Sequence, residues 1–332
     1  MHRRQLLSSV AGFMAMAASI AARATAGPKP VPVIFHTDIG YDVDDTWALL
    51  LLLRRPELDL KLVVTEGKNA LYRARVVAKC LTLAGHKDIP VVYGPDADNM
   101  SAPQSEWLAD FDIRSYPMTR KGDRAKAMVD LIMASADKVS LICVGPATST
   151  AEALRLEPKI ASKARFIGMH GSVRIGYDAK PTPDVEYNVK TDPLALRAVL
   201  AASWECAITP LDTCGLLTFD GPLYQTLRHS RDPFAQAIRR NSEVWLPNAP
   251  WMPKGFDISR QSSTQFDSVA VMMAAGTPDL IYETLPICVA DDGMTVIDPI
   301  KGRAVRVATK WKDMARFKQA LVDDLTRYPA TS

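Results

Sequence analysis

Four aspartates lie within eight residues of one another early in the sequence: Asp38, Asp42, Asp44 and Asp45. Two carboxylates about 4 Å apart repel each other by roughly 4 kcal/mol at an effective dielectric near 20, so such a group needs a compensating cation. Oxygen ligands without cysteine or paired histidine favour a hard ion, Ca²⁺ or Mg²⁺, over zinc. A helix N-terminus would explain two of the aspartates through the macrodipole, but not all four. The cluster therefore predicts a metal site.

The elements that position these aspartates follow an alternating pattern. Short apolar, β-rich runs occupy residues 31–37, 59–65, 90–93, 139–144, 165–169 and 205–209. Helix-like stretches lie between most of them, at residues 44–54, 69–84, 123–136, 149–157 and 192–202. Alternating strands and helices predict an α/β fold with an open, mostly parallel β-sheet flanked by helices.

Polar groups follow four of the predicted strands, at residues 38–45, 66–69, 145–148 and 170–172. Ligands of open parallel sheets bind outside the carboxyl ends of the strands. We therefore expect these four segments to meet at one crevice.

The rest of the chain adds no second domain. Ser149 and Glu152 match a capping box at the start of a helix. Residues 241–258, with three prolines and two tryptophans, interrupt the pattern and predict a long loop or a helix with a ragged end. Short strands at 286–290 and 304–308 and a helix at 311–327 complete the chain, so residues 27–332 are predicted to form a single domain.

Residues 1–26 have the order of a secretory signal peptide: a basic start at Arg3-Arg4, an apolar stretch from Leu6 to Ala22, and the small-residue site 24–26. The arginine pair fits twin-arginine export, and a general secretory signal fits as well. An uncleaved anchor is the alternative. Cleavage after residue 26 predicts a periplasmic or secreted protein.

The charge balance of the mature chain argues against nucleic-acid or membrane-surface partners. The whole sequence has a formal net charge of +3, with 40 basic and 37 acidic residues. Residues 1–26 hold three arginines and no acidic residue, so the mature chain is formally neutral. Neither a basic nucleic-acid footprint nor a polybasic membrane patch remains. A small-molecule substrate is expected, and a homo-oligomer is left open.

The five cysteines are scattered and form no CxxC pair. Most lie in apolar runs, which is typical of buried thiols rather than of a disulfide framework. The positions are Cys80, Cys143, Cys206, Cys214 and Cys288.

The segment HTDIGYDVDDTWALLLLL, residues 36–53, resembles the amino-terminal signature of the nucleoside hydrolase family. It is most similar to the variant with two extra residues before the final Asp-Asp. Further segments resemble family landmarks in the same order along the chain: VVTEGKN (63–69), VGPATS (144–149), GMHGSV (168–173), VEYNVKTDP (185–193) and QFDSVAV (265–271). The resemblance covers residues 30–325.

The resemblance implies a calcium-dependent enzyme that hydrolyses the N-glycosidic bond of ribonucleosides. Asp38 would ligate Ca²⁺ and act as general base on the attacking water. The other ligands would be Asp45, Asp267 and the carbonyl of Thr148. The ribose contacts would come from Asp44 or Asp42, Asn69, Met169, Glu186 and Asn188.

These residue types suit the implied chemistry. Cleavage at an anomeric carbon passes through an oxocarbenium-like state, whose positive charge nearby carboxylates stabilise. A bound cation lowers the pKa of its water, so that a carboxylate can take the proton near neutral pH.

Two positions depart from the family pattern. His36 replaces the first signature aspartate, and Phe266 replaces the histidine proposed to protonate the leaving base. His170 or stacking on Trp245 or Trp251 could substitute for that acid, although a structural histidine and core tryptophans are the alternatives.

Two other functions remain open. A phosphatase with a nucleophilic aspartate after the first strand requires Asp-x-Asp, but Gly40 stands two residues beyond Asp38. A periplasmic protein that binds nucleosides or calcium without turnover needs no acid, and Phe266 favours it.

Overall fold

The computed structural model describes residues 29–95 and 101–327. The predicted signal peptide lies outside these residues. From Val31 onward the chain forms one compact unit. No helix in the described part is long and apolar enough to cross a membrane.

One ten-stranded sheet runs through this unit in the order β4-β3-β2-β1-β5-β6-β7-β10-β8-β9. Strands β1 to β7 are parallel to their neighbours, β10 is parallel to β7, and only β8 and β9 join antiparallel. The strands are β1 (Val31–Thr37), β2 (Leu58–Thr65), β3 (Val91–Tyr93), β4 (Thr119–Lys121), β5 (Val139–Cys143), β6 (Ala164–Gly168), β7 (Glu205–Ile208), β8 (Leu280–Val289), β9 (Thr295–Ile297) and β10 (Arg303–Trp311).

Helices cover both faces of the sheet. In chain order they are α1 (Asp44–Leu52), α2 (Ala70–Leu83), α3 (Arg124–Ala134), α4 (Thr148–Leu156), α5 (Ile160–Lys163), α6 (Tyr187–Thr191), α7 (Pro193–Ala201), α8 (Gly221–His229), α9 (Pro233–Trp245), α10 (Phe266–Ala274) and α11 (Met314–Thr326).

The central strand shows why the sheet is buried on both faces. Along β1, Val33 and Phe35 pack into one apolar core, and Ile34 between them packs into the other. Side chains alternate between the faces of a strand, so a strand with helices on both sides reads as a continuous apolar run. This explains the unbroken apolar runs of the sequence.

The strand order reverses direction at β1. The chain moves outward through β2, β3 and β4, and then returns to place β5 on the other side of β1. Such a reversal opens a crevice between two loops that leave the sheet in opposite directions. The crevice lies at the carboxyl ends of β1 and β5.

The predicted α/β fold with its open, mostly parallel sheet is confirmed. The segment 241–258 is the end of α9, which begins at Pro233, followed by irregular chain, in agreement with the predicted alternative of a helix with a ragged end. One local prediction is wrong. Ser149 does not cap α4, because Ala147 is the N-cap residue and the Ser149 hydroxyl bonds elsewhere.

Candidate active site

The loop after β1 and the turn after β5 touch each other at the crevice. A Cβ atom placed on Gly145 would lie 2.8 Å from the Asp38 nitrogen and 2.9 Å from Asp38 Oδ1. Any side chain at position 145 would push the two segments apart. Glycine is therefore needed here for the backbone to approach Asp38 closely.

Hydrogen bonds from four neighbouring side chains fix the loop that follows Asp38. They reach the consecutive carbonyls of residues 39–42, at 2.9, 2.8, 3.0 and 2.6 Å. The donors, in that order, are Arg73, Tyr72, Trp245 and Gln104. The aspartates on this loop are therefore held in place before any ligand binds.

Three aspartates converge where α1 and α10 begin. Asp44 and Asp45 lie in the first turn of α1, and Asp267 lies in the first turn of α10. All three are buried, and one carboxylate oxygen of each lies within 4.8 Å of the others. The Thr37 hydroxyl donates a hydrogen bond to Asp45. This all-oxygen group matches the donor set of a hard divalent cation.

The pKa values of the three carboxyl groups also favour a bound cation. Burial raises the pKa of each carboxyl well above its ordinary value, and the neighbouring aspartates raise it further. A bound cation would relieve both effects, because it offsets the desolvation and the mutual repulsion of the carboxylates.

Asp38 stands beside this cluster and is only partly buried. Burial raises its pKa, and the nearby Arg73 guanidinium lowers it. The charge of Asp38 in turn raises the pKa of Asp45 and of Asp267. Asp38 therefore lies within electrostatic reach of the cluster, at the edge open to solvent.

The structure assembles the predicted metal ligands with one difference. Asp45 and Asp267 meet as expected, although they are far apart in sequence. The third member of the tight group is Asp44, which the resemblance assigned to the sugar, rather than Asp38. Thr148 is the first residue of α4, and its hydroxyl donates to Asp192 at 2.7 Å.

The proposed sugar-binding residues surround the same opening. Asp42 is partly buried and accepts a hydrogen bond from the Val43 nitrogen at 2.6 Å. Burial raises the pKa of Asp42 to about 6. Asn69, the N-cap residue of α2, has a left-handed backbone with φ of 54°.

Glu186, Asn188 and Met169 form a hydrogen-bonded group of their own. Glu186 accepts from the backbone nitrogens of residues 171, 188 and 189 and so caps α6. The Asn188 amide donates to the carbonyls of Val144 and Met169, at 3.0 and 3.2 Å. Both side chains therefore hold the loops after β5 and β6 together, whatever else they bind.

The two tryptophans differ in exposure. Trp245 is fully buried, and its indole donates to the Tyr41 carbonyl at 3.0 Å. Its ring supports the loop, which corrects the prediction that it could stack on a base. Trp251 is 38% exposed and stacks on Tyr41, with ring centroids 4.3 Å apart. Only Trp251 of this pair is available to a ligand.

The two positions considered for protonation of the leaving base offer no accessible acid. Phe266 is partly buried and meets Tyr177 edge-on. His170 is fully buried, and its Nε2 lies 3.1 Å from the Gly145 carbonyl. Its imidazole is thus committed to the turn after β5, in keeping with a structural histidine.

A hydrogen-bonded network of ionisable side chains lies at the ends of β1 and β2, and sequence analysis missed it. His36 Nε2 lies 3.1 Å from Glu66, and His36 Nδ1 lies 2.8 Å from the Thr150 hydroxyl. Glu66 also accepts from Ser149 and pairs with Arg124. The network ties β1, the end of β2 and the start of α4 together. The presence of His36 in place of the signature aspartate was its one signal in the sequence.

Comparison with known proteins places the chain in a family. The profile described as inosine-uridine preferring nucleoside hydrolase matches residues 33–319. A pyrimidine-specific ribonucleoside hydrolase, RihA, from Citrobacter koseri is 30% identical over 193 residues, covering 55% of this chain and 60% of that protein. The match thus spans about 60% of the length of this curated relative.

Solved structures share the fold. A plant nucleoside hydrolase, PpNRh1, superposes with a TM-score of 0.73 at 20% identity, over 90% of this chain and 100% of that chain. A purine-preferring ribonucleoside hydrolase from Gardnerella vaginalis gives a TM-score of 0.72 at 18% identity, over 89% of this chain and 98% of that chain.

Proposed function

The chain belongs to the inosine-uridine preferring nucleoside hydrolase family, and on that premise we propose that it hydrolyses the N-glycosidic bond of ribonucleosides to free base and ribose in a Ca²⁺-dependent reaction. The observation that carries the proposal is the buried group of Asp44, Asp45 and Asp267, with Asp38 beside it at the reversal point of the sheet.

The ion would be held by Asp45, Asp267 and the Thr148 carbonyl, together with Asp38 or Asp44. When bound, Ca²⁺ supplies the positive charge that acidifies the attacking water. Six to eight oxygen ligands are typical of Ca²⁺, so the sugar hydroxyls and water complete the shell. The close approach of Asp44 to the cluster makes it a ligand candidate, and leaves Asp42 free for the ribose.

Asp38 is the proposed general base. Asp38 is partly open to solvent, its carboxylate lies close to the turn at Gly145, and the charge of the Arg73 guanidinium acts on it. It takes one proton from water as the water oxygen attacks the anomeric carbon. Asp42, Asn69, Glu186 and Asn188 orient the ribose, and the carboxylates stabilise its developing positive charge.

Metal-dependent turnover tests the proposal. Inosine, uridine and nitrophenyl riboside are incubated with the purified protein as isolated, after chelation, and after addition of Ca²⁺ or Mg²⁺, with bound calcium measured in parallel. We expect turnover that chelation abolishes and Ca²⁺ restores. Full recovery with Mg²⁺ alone would contradict the choice of ion, and no turnover of any riboside would contradict the hydrolase.

A second candidate is a protein that binds nucleosides and calcium without turnover. Phe266 favours it, because the position of the expected proton donor holds a side chain that carries no proton to give. Stoichiometric nucleoside binding without base release in the same assays would support this candidate over the first.

We further propose that the chain is exported and that its mature form starts near Gly27. The arginine pair and the small residues before Gly27 support this. N-terminal sequencing of the native protein tests it, and a chain that retains Arg3 and Arg4 would contradict cleavage.

A further inference from the structure

Three aromatic rings form a strip beside the candidate active site. Tyr41 stacks on Trp251 at a centroid distance of 4.3 Å, with 18° between the ring planes. Tyr41 is also nearly parallel to Tyr187, with a centroid distance of 6.3 Å and 7° between the ring planes. Trp251 is 38% and Tyr187 42% exposed, so both rings are open to solvent and can contact a ligand.

Two residues of the strip are adjacent in sequence to proposed sugar-binding residues. Tyr41 directly precedes Asp42, and Tyr187 lies between Glu186 and Asn188. We therefore expect a base attached to a ribose held by these side chains to lie close to the strip. The hydrogen bond from the buried Trp245 indole to the Tyr41 carbonyl holds the backbone of Tyr41 in place.

The strip also carries a negative charge at one end. The Trp251 side chain is hydrogen-bonded to Asp42. A planar cation stacked on this indole would thus meet both the electron-rich face of the ring and a carboxylate. Cation–π attraction is strongest for Trp among the aromatic side chains.

The position expected to hold the acid and the two histidines nearest the site offer no accessible proton donor to a base. Phe266 carries no acidic proton, and His170 is fully buried against the Gly145 carbonyl. His36 is fully buried and engaged with Glu66 and Thr150. A neutral base leaves as an anion unless it is protonated, so a site built this way works against neutral bases.

We propose that the preferred substrates are ribonucleosides whose base already carries a fixed positive charge, such as an N7-methylated purine or an N-ribosylated pyridinium. The inference rests on the hydrolase function proposed above. As the C1′–N bond breaks, its electron pair stays on nitrogen and cancels the positive charge, so a neutral base leaves. Water supplies oxygen to C1′, and its proton goes to Asp38. The products are ribose, neutral base and one proton, with no acid needed.

Matched substrates test the inference. N7-methylguanosine and guanosine differ by one methyl group and one charge, and nitrophenyl riboside reports the hydrolase activity itself. We expect kcat/KM for N7-methylguanosine to exceed that for guanosine by at least about 100-fold, since general acid catalysis is typically worth 10²–10⁴-fold. In Phe266→His, guanosine should gain and N7-methylguanosine should not.

Ground-state binding separates charge recognition from the intrinsic lability of a charged substrate. 1-Methylnicotinamide and nicotinamide are a cation and its near-isosteric neutral counterpart, and neither can be hydrolysed here. We expect the cation to inhibit nitrophenyl riboside cleavage on the order of 10-fold more tightly, as cation–π contacts and a nearby carboxylate imply. Trp251→Leu and Asp42→Asn should reduce that preference, and Trp251→Phe should retain most of it.

The outcomes distinguish the two proposals. If nitrophenyl riboside is not cleaved, the hydrolase function and this inference both fail. If it is cleaved but N7-methylguanosine is within tenfold of guanosine, only the inference is overturned. The same holds if 1-methylnicotinamide binds no better than nicotinamide, or if the preference survives unchanged in Trp251→Leu.

Discussion

Two groups of buried ionisable side chains lie at the same edge of the sheet and differ in how their charges are balanced. In the first, Glu66 is surrounded by His36, Arg124 and Ser149, each within hydrogen-bonding distance. In the second, Asp44, Asp45 and Asp267 face one another, with Asp38 nearby. In the first group the protein itself supplies positive charges beside the carboxylate, whereas in the second group the carboxylates mainly face one another. We call the first group complete and the second incomplete.

The pKa values record this contrast. Burial would raise the pKa of Glu66, but the hydrogen bond and charge of His36 and the charge of Arg124 lower it to about 2. Burial would lower the pKa of His36, yet Cys143 and Glu66 raise it to about 10. At the aspartates the compensation is too weak: the Thr37 hydroxyl and the Arg73 charge lower the pKa of Asp45, but the pKa values of all three carboxyls stay raised. A complete group stabilises the fold, whereas an incomplete group is poised to bind a cation.

The largest expected effect concerns turnover at the incomplete group. Asp38→Asn should lower kcat by about 10³-fold or more, roughly 4 kcal/mol, because an amide cannot accept the proton of water. The fold should be retained, as judged by circular dichroism and thermal unfolding. Asp110→Asn is the control, since the Asp110 side chain is 85% exposed. A rate within about tenfold of the wild type would exclude Asp38 as the base.

The next effect concerns stability at the complete group. Glu66→Gln leaves the fully buried His36 and the partly buried Arg124 without their carboxylate partner, so the free energy of unfolding should fall by about 3 kcal/mol. Urea denaturation measures this, and the loss should be the same with and without Ca²⁺. Glu57→Gln, at a half-exposed carboxylate paired with Arg55, should change stability by less than about 1 kcal/mol. Equal losses in both variants would contradict the structural role of Glu66.

A smaller effect is the stability difference between Asp267→Asn and the wild type, which should reverse its sign when calcium is added. Ca²⁺ at 100 times its Kd should stabilise the wild type by about 2.7 kcal/mol. Asp267→Asn removes one repelling charge, so the variant should be more stable than the wild type in chelator and gain little from Ca²⁺. Thermal unfolding of both proteins under the two conditions measures this. A variant less stable than the wild type in chelator would show that the carboxylates do not oppose folding.

The sequence located the incomplete group, although it gave Asp38 rather than Asp44 as the third member, and it missed the complete group. Clustered acidic residues after the first strand have few explanations besides a cation, and the resemblance supplied the distant Asp267. The partners of Glu66 come from β1, α3 and α4. Only the strand order brings these elements together, and no local pattern encodes it.

Two errors have the same origin. Ser149 and Glu152 match a capping box locally, but the Ser149 hydroxyl is taken by Glu66 from a neighbouring loop. The sequence does not distinguish Trp245 from Trp251, because both lie in the same proline-rich segment. Trp245 is the last residue of α9 and is buried, whereas Trp251 follows the helix and is partly exposed. Local propensity gave the type of most elements, whereas tertiary contacts decided which side chains remain available.

The smallest expected effect is the pH dependence of the stability that the complete group contributes. The folded-state pKa of Glu66 lies near 2, below its ordinary value of 4.5, so its contribution is present above pH 4.5 and is lost as the pH falls toward 2. Below pH 5 His36 is charged in both the folded and the unfolded protein, and the glutamine of Glu66→Gln does not titrate. The stability difference between wild type and Glu66→Gln should therefore narrow by roughly 1 kcal/mol between pH 5 and 3.5. Parallel urea titrations of the two proteins across this range measure it, because all other titrating groups cancel in the difference. A gap that stays constant or widens on acidification would mean that Glu66 is not held ionised by His36 and Arg124.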